Sequence, residues 1–304
     1  PHPLIYILRD KISLFADLEL SPSHRKQLDE LRAELRTFEN QSAEVLQEII
    51  PDEAAPDPQA PRWEITVFGR PQVLIRGNRV QASEWVNQKS ARDLLYLLVT
   101  DQTGKTKAEI GAALWPESSA EELRTKFKNA VYRLRRALGK ELVLYQSQTR
   151  LYLLNRSLSL KIDLDAFCEA LDRVGTSANP ADREEALVEA LNHYQHPFLG
   201  GNHSLWVEPI RTELFLKFKK AALDLAEIYF HQDQFAQTLE ITYRLLDIDP
   251  CLESACRMAM KVHAAQGNRS AVARQYQRCR EAFSRLLDTH PSPETEALYQ
   301  QLLG

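Results

Sequence analysis

Residues 119–138 constrain the fold more than any other stretch, because their apolar positions repeat with the period of one helix. Leu123, Phe127, Val131, Leu134 and Leu138 step by four, four, three and four, forming a single stripe that must pack on a core. Opposite it stand Thr125, Asn129, Tyr132 and Arg136, flanked by Lys126 and Arg133 on one side and by Lys128 and Arg135 on the other. Gly139 stops the pattern. Two alternating segments, 142–144 and 151–154, then flank the turn-forming residues 146–150 and predict a β-hairpin. A basic helix followed at once by a hairpin suggests a recognition helix and wing for DNA. Lys and Arg suit phosphate oxygens, while Arg and Asn pair bidentately with base edges in a major groove wide enough for a helix. Taken alone, the helix has a second reading as a solvated basic face near a C-terminus, where cations are favoured anyway.

Charge bookkeeping favours the first reading. The whole chain is acidic at net −4, but residues 62–156 carry 17 basic against 9 acidic groups. Residues 1–61 carry 6 against 12, and residues 157–304 carry 15 against 21. A basic island between acidic flanks is the electrostatic footprint of a nucleic-acid-binding module inside a larger protein.

The 304 residues allow two or three domains. No apolar run reaches the roughly 18 residues of a membrane span, and no signal-peptide pattern opens the chain. Its start at Pro1 without a methionine leads us to expect a piece of something longer. Cys168, Cys251, Cys256 and Cys279 show no CxxC pair and no metal-ligand spacing, so reduced, mostly buried cysteines of a cytoplasmic protein are expected.

Four segments emerge. Residues 1–50 read as helical, with a seam of Leu28, Leu31, Leu35, Phe38, Ser42, Val45 and Ile49 that suits either a dimerising coiled coil or one arm of a helical hairpin. Residues 51–62 form a linker containing Pro51, Pro56, Pro58 and Pro61. In residues 63–156 the period changes to two, predicting strands at 64–69, 72–75 and 79–80. Helices at 83–101 and 106–115, the basic helix and the hairpin follow. That order is a winged helix-turn-helix with an additional N-terminal sheet. Residues 157–304 read as all helical. Ala226, Tyr229 and Pro250 occupy the marker positions of a 34-residue helix-turn-helix repeat, although His263 and Ser284 replace two of them one period later. A tetratricopeptide-like array of about three helix pairs is expected, of a kind that binds a protein or small ligand. The fold class is thus mainly α with a small β component.

Together these motifs resemble the SARP-type bacterial transcriptional activators, which join a response-regulator-type winged helix to the all-helical bacterial transcriptional activator domain. The resemblance covers about residues 63–303 and rests on Val67, Phe68 and Gly69; Trp85 with residues 89–98; residues 113–116, 132–138 and 151–153; and in the helical half on residues 163–167, 190–194 and 197–200, Trp206, Arg211, Asp249, Pro250, Glu253, residues 271–276 and 291–293. It implies a helix in the major groove, with Thr125, Lys126, Lys128, Asn129, Tyr132, Arg133 and Arg136 nearest bases or phosphates. Arg150 at the hairpin tip would reach the adjacent minor groove. Trp115, Glu117, Ser118 and Ser119 correspond to the loop facing RNA polymerase. Double-stranded DNA, RNA polymerase and a homodimer or cooperative pair are the implied partners.

Other chemistries are disfavoured. Thr103, Gly104, Lys105 and Thr106 invite a nucleotide-binding reading, but the second glycine of a P-loop would fall at Val99, in a helix. His193 and His196 have no ligating neighbour at useful spacing. Nothing resembles a nucleophile elbow, a paired-carboxylate site or a dinucleotide loop, so neither enzyme activity nor a cofactor is expected. The rival from another class is a helical-repeat scaffold whose winged helix contacts protein.

Overall fold

The computed structural model describes residues 62–304, which belong to one compact unit. The seam at 28–49 and most of the proline-rich linker lie outside the described residues. The chain starts with β1 (Trp63–Thr66), β2 (Gln72–Ile75) and β3 (Asn78–Arg79), an antiparallel meander. Alternation buries Trp63 and Ile65, and the Trp63 indole donates 2.9 Å to the carbonyl of Leu138 at the far end of the basic helix.

Where a single helix over 83–101 is predicted, the chain forms α1 (Ser83–Val86) and α2 (Lys89–Val99). The break at Asn87 and Gln88 leaves carbonyls without helical partners. Arg92 answers it, donating 2.8 Å to the Trp85 carbonyl and also to that of Val86. β4 (Lys105–Thr106), α3 (Lys107–Leu114) and α4 (Ala120–Leu138) follow, then the hairpin β5 (Val143–Gln146) and β6 (Leu151–Leu154). β4 pairs with β6, giving a three-stranded wing sheet in the order β4-β6-β5. β7 (Leu160–Ile162) returns to pair in parallel with β1, completing a second sheet in the order β3-β2-β1-β7. Sequence patterning missed β4 and β7: two and three residues are too short to show a period.

The Thr103–Thr106 stretch is a turn leading from α2 into β4. Asp101 accepts from the Thr103 amide and hydroxyl at 2.8 and 2.6 Å, the Gly104 amide at 3.1 Å and the Lys105 ammonium at 2.7 Å. Gly104 sits at φ +89°, where a Cβ would also come within 3.1 Å of the Tyr152 carbonyl. Burial opposes ionisation of Asp101, yet the hydrogen bonds from Lys105 and Thr103 hold its carboxyl at about 2, below the usual 3.8. Stability from a depressed carboxyl is full above the unfolded value and disappears as pH falls through the native one. Asp101→Ala should therefore cost at most about 2 kcal/mol at neutral pH. It should also flatten the loss of stability between about pH 4 and 2, as read from denaturant unfolding at each pH.

The helical half comprises α5 (Asp163–Thr176), α6 (Pro180–His193), α7 (Val207–His231), α8 (Phe235–Ile248), α9 (Glu253–Ala265), α10 (Arg269–Leu287) and α11 (Pro293–Leu303). α5/α6, α7/α8 and α9/α10 pack as pairs. The 34-residue period is visible in the backbone. The Gln234 amide donates to the Tyr229 carbonyl, and one period later the Asn268 amide donates to that of His263, each at 2.8 Å. Asp233 and Gly267 occupy the same left-handed position, at φ 56° and 70°. A Cβ is strained there, so Asp233→Gly should raise unfolding stability by a few tenths to about 1 kcal/mol, and Gly267→Ala should lower it by about 1 kcal/mol. Urea titration of the three chains checks both signs.

The two halves share one core running from Trp63 to Ala255. At their joint the Asp163 carboxylate accepts the amides of Val67 and Phe68 and of its own neighbour Leu164, all within 3.0 Å. Burial pushes this carboxyl above its usual range against the downward pull of those bonds. Leu199 donates 2.7 Å to the Val67 carbonyl, and Gly69 donates 2.9 Å to that of Pro197. Phe68 enters an aromatic cluster with Phe167 and Tyr194, and Tyr194 stacks on Phe218 at 4.3 Å.

Candidate nucleic-acid interface

Ser119 starts α4 with a capping box: its hydroxyl accepts the Glu122 amide at 3.3 Å and its amide donates to the Glu122 carboxylate at 2.9 Å. Those bonds from Ser119 hold the Glu122 carboxyl below its ordinary range. Phe127, Ala130, Leu134 and Leu138 are buried, with Leu123 and Val131 half-buried beside them, so the apolar stripe faces the core. Leu123 lies so close to α3 that a Cβ on Gly111 would come within 2.6 Å of its methyl group.

The opposite side carries exposed Thr125, Lys126, Lys128, Asn129, Tyr132 and Arg136. Arg136 donates 3.1 Å to the Tyr132 hydroxyl, placing a guanidinium and a phenol together on the outer surface. Lys126 donates 2.8 Å to the Ser118 hydroxyl. Arg124 is a further exposed cation of α4, at the edge of the apolar stripe. Arg133 is half-buried and donates to the Gln88 side chain from the α1–α2 break, so its guanidinium is held at the edge of the face. Arg135 turns to the wing and donates 2.9 Å to the Val143 carbonyl. No local signal links Arg133 to Gln88, 45 residues earlier.

The wing is stiffened by Tyr145 and Tyr152, paired across the strands with centroids 4.7 Å apart, and by Phe127 of α4 against Tyr152 at 4.7 Å. Arg150 is exposed at the hairpin turn, at φ 58°. In the loop between α3 and α4, Trp115 is half-buried against the core, and Ser118 and Ser119 serve Lys126 and the α4 cap. Glu117 is exposed there. In the helical half His193 lies 3.9 Å from Glu189, and His196 packs on Gly69.

Residues 162–303 match the family model of the bacterial transcriptional activator domain. The match spans the helical half of the chain, from the end of β7 to the end of α11. The match agrees with the resemblance to SARP-type activators carried by the sequence motifs. The fold is similar to that of Mycobacterium tuberculosis EmbR, solved in complex with a low affinity phosphopeptide, with a TM-score of 0.63 and 21% identity. The likeness covers 80% of this chain and 65% of the EmbR chain. No curated protein matches the chain. The matched helical half thus stands behind a winged sheet and a cationic helix.

Proposed function

We propose that the chain is a sequence-specific DNA-binding transcriptional activator that reads promoter direct repeats as a dimer or cooperative pair. In this reading α4 enters the major groove, Arg150 reaches the neighbouring minor groove or its phosphates, and the Trp115–Ser119 loop contacts RNA polymerase in the bacterial cytoplasm. The observation that carries it is the outward side of α4, where Lys126, Lys128, Asn129 and Arg136 are exposed while the opposite stripe is buried. Division of labour between residues 63–156 for DNA and 157–304 for signal or partner follows from the same reading. Among the described residues, no helix is long and apolar enough to cross a membrane.

Fluorescence anisotropy on duplex DNA tests this. Affinity should fall steeply with salt, with a log-log slope set by roughly 4 to 8 phosphate contacts for a bound dimer. Absence of duplex binding at low salt would leave the helical-repeat scaffold as the better account. Asn129→Ala should cost about 1 to 3 kcal/mol on a site selected from genomic fragments and relax base preference there. Lys128→Ala should weaken all sequences alike and reduce the salt slope by about 1. Equal losses for both variants on random DNA would show that Asn129 touches only backbone.

A further inference from the structure

Cys256 of α9 and Cys279 of α10 lie in a small core cluster separate from the main one, at 0% and 2% exposure. The Cys256 sulfur is 3.8 Å from both the backbone oxygen and the side-chain nitrogen of Gln275. In the regular helical ladder that same oxygen accepts the Cys279 amide, so both sulfurs sit against one turn of α10. Cys279 lines a groove of about 710 Å³ bordered by Tyr243, Leu246, Arg278 and Arg285. A small solute entering this groove therefore reaches one thiol directly and the other through it. Cys168 and Cys251, by contrast, are half-exposed.

We propose that Cys256 and Cys279 form a redox-modification site, which a hydroperoxide entering the groove converts into a disulfide within the chain. Cys279, which lines the groove, loses its proton and its thiolate attacks a peroxide oxygen, breaking the O–O bond and leaving a sulfenic acid; the hydroxide released takes up the proton lost by the thiol. The Cys256 sulfur then attacks the Cys279 sulfur. An S–S bond forms, the S–O bond breaks, and water leaves with the Cys256 proton. In sum two thiols and one hydrogen peroxide give one disulfide and two waters, with two electrons passing from sulfur to peroxide. Closure to an S–S bond of about 2.05 Å draws α9 and α10 together along the wall of the groove.

The full folded chain, fully reduced, is treated with a few equivalents of hydrogen peroxide, alkylated in denaturant and mapped without reductant. Cleavage after Glu253 separates Cys251 from Cys256. Free thiols are expected to fall from four to two per chain, with one cross-linked peptide joining Cys256 to Cys279. Cys168→Ser should still form the cross-link, whereas Cys256→Ser and Cys279→Ser should not. The wild-type map decides the matter by itself if either of those two variants fails to fold. A bridge to Cys251, oxygen addition without a bridge, no reaction, or a bridge that forms only in unfolded chains would each overturn the assignment.

Discussion

Lys128→Glu combined with Arg136→Glu is expected to lower affinity for duplex DNA by about 100-fold near 0.15 M salt. Each exposed cation that neutralises a phosphate releases condensed counterions, worth roughly fivefold in affinity at this salt, and reversing the sign adds a screened repulsion of about twofold. The log-log salt slope should drop by about 2 per chain. Both side chains are exposed and lie away from the buried stripe, so unfolding stability should move by no more than about 0.5 kcal/mol for each. Anisotropy titrations at three salt concentrations, beside a urea titration, measure both quantities. Unchanged DNA affinity in a folded double variant would remove α4 from the interface and sink the proposed function.

The second large effect is structural. Asp163→Ala removes the acceptor of the Val67, Phe68 and Leu164 amides at the joint between the halves. Each buried donor left without a partner costs about 1 to 3 kcal/mol, so a total loss of roughly 3 kcal/mol or more is expected. Asn is a poor substitute, because its amide nitrogen would point donor to donor at one of those N–H groups. Hydrogen exchange at Val67 and Phe68 should quicken more than at Leu134, whose surroundings in α4 do not include the joint. Equal protection at all three sites in the variant would mean that the carboxylate does not hold the joint.

The motifs that made the chain resemble an activator have different physical roles once folded. Val67, Phe68 and Gly69 meet Pro197 to Gly200 across backbone hydrogen bonds, and Asp163 caps the contact. Arg211 donates 3.0 Å to the Phe198 carbonyl and 3.1 Å to that of Leu199, tying α7 to the same loop. These residues hold the joint. None of them belongs to the outward face of α4.

By itself the sequence determined the elements whose information is local. α4 has 19 residues, enough turns for a 3.6-residue period to separate a buried from an exposed side, and Ser119 with Glu122 marks its start. The wing hairpin and the 34-residue repeat are local in the same sense, each set by alternation or by recurrence along the chain. Only the tertiary structure decided the break between α1 and α2, the short strands β4 and β7, the turning of Arg133 to Gln88 and of Arg135 to the wing, and the Asp163 joint. Each of these depends on a partner remote in sequence or on too few residues to show a period. The amide of Val67 meets its carboxylate 96 residues later, and no pattern along the chain can announce a bond that exists only after both segments have packed on a common core.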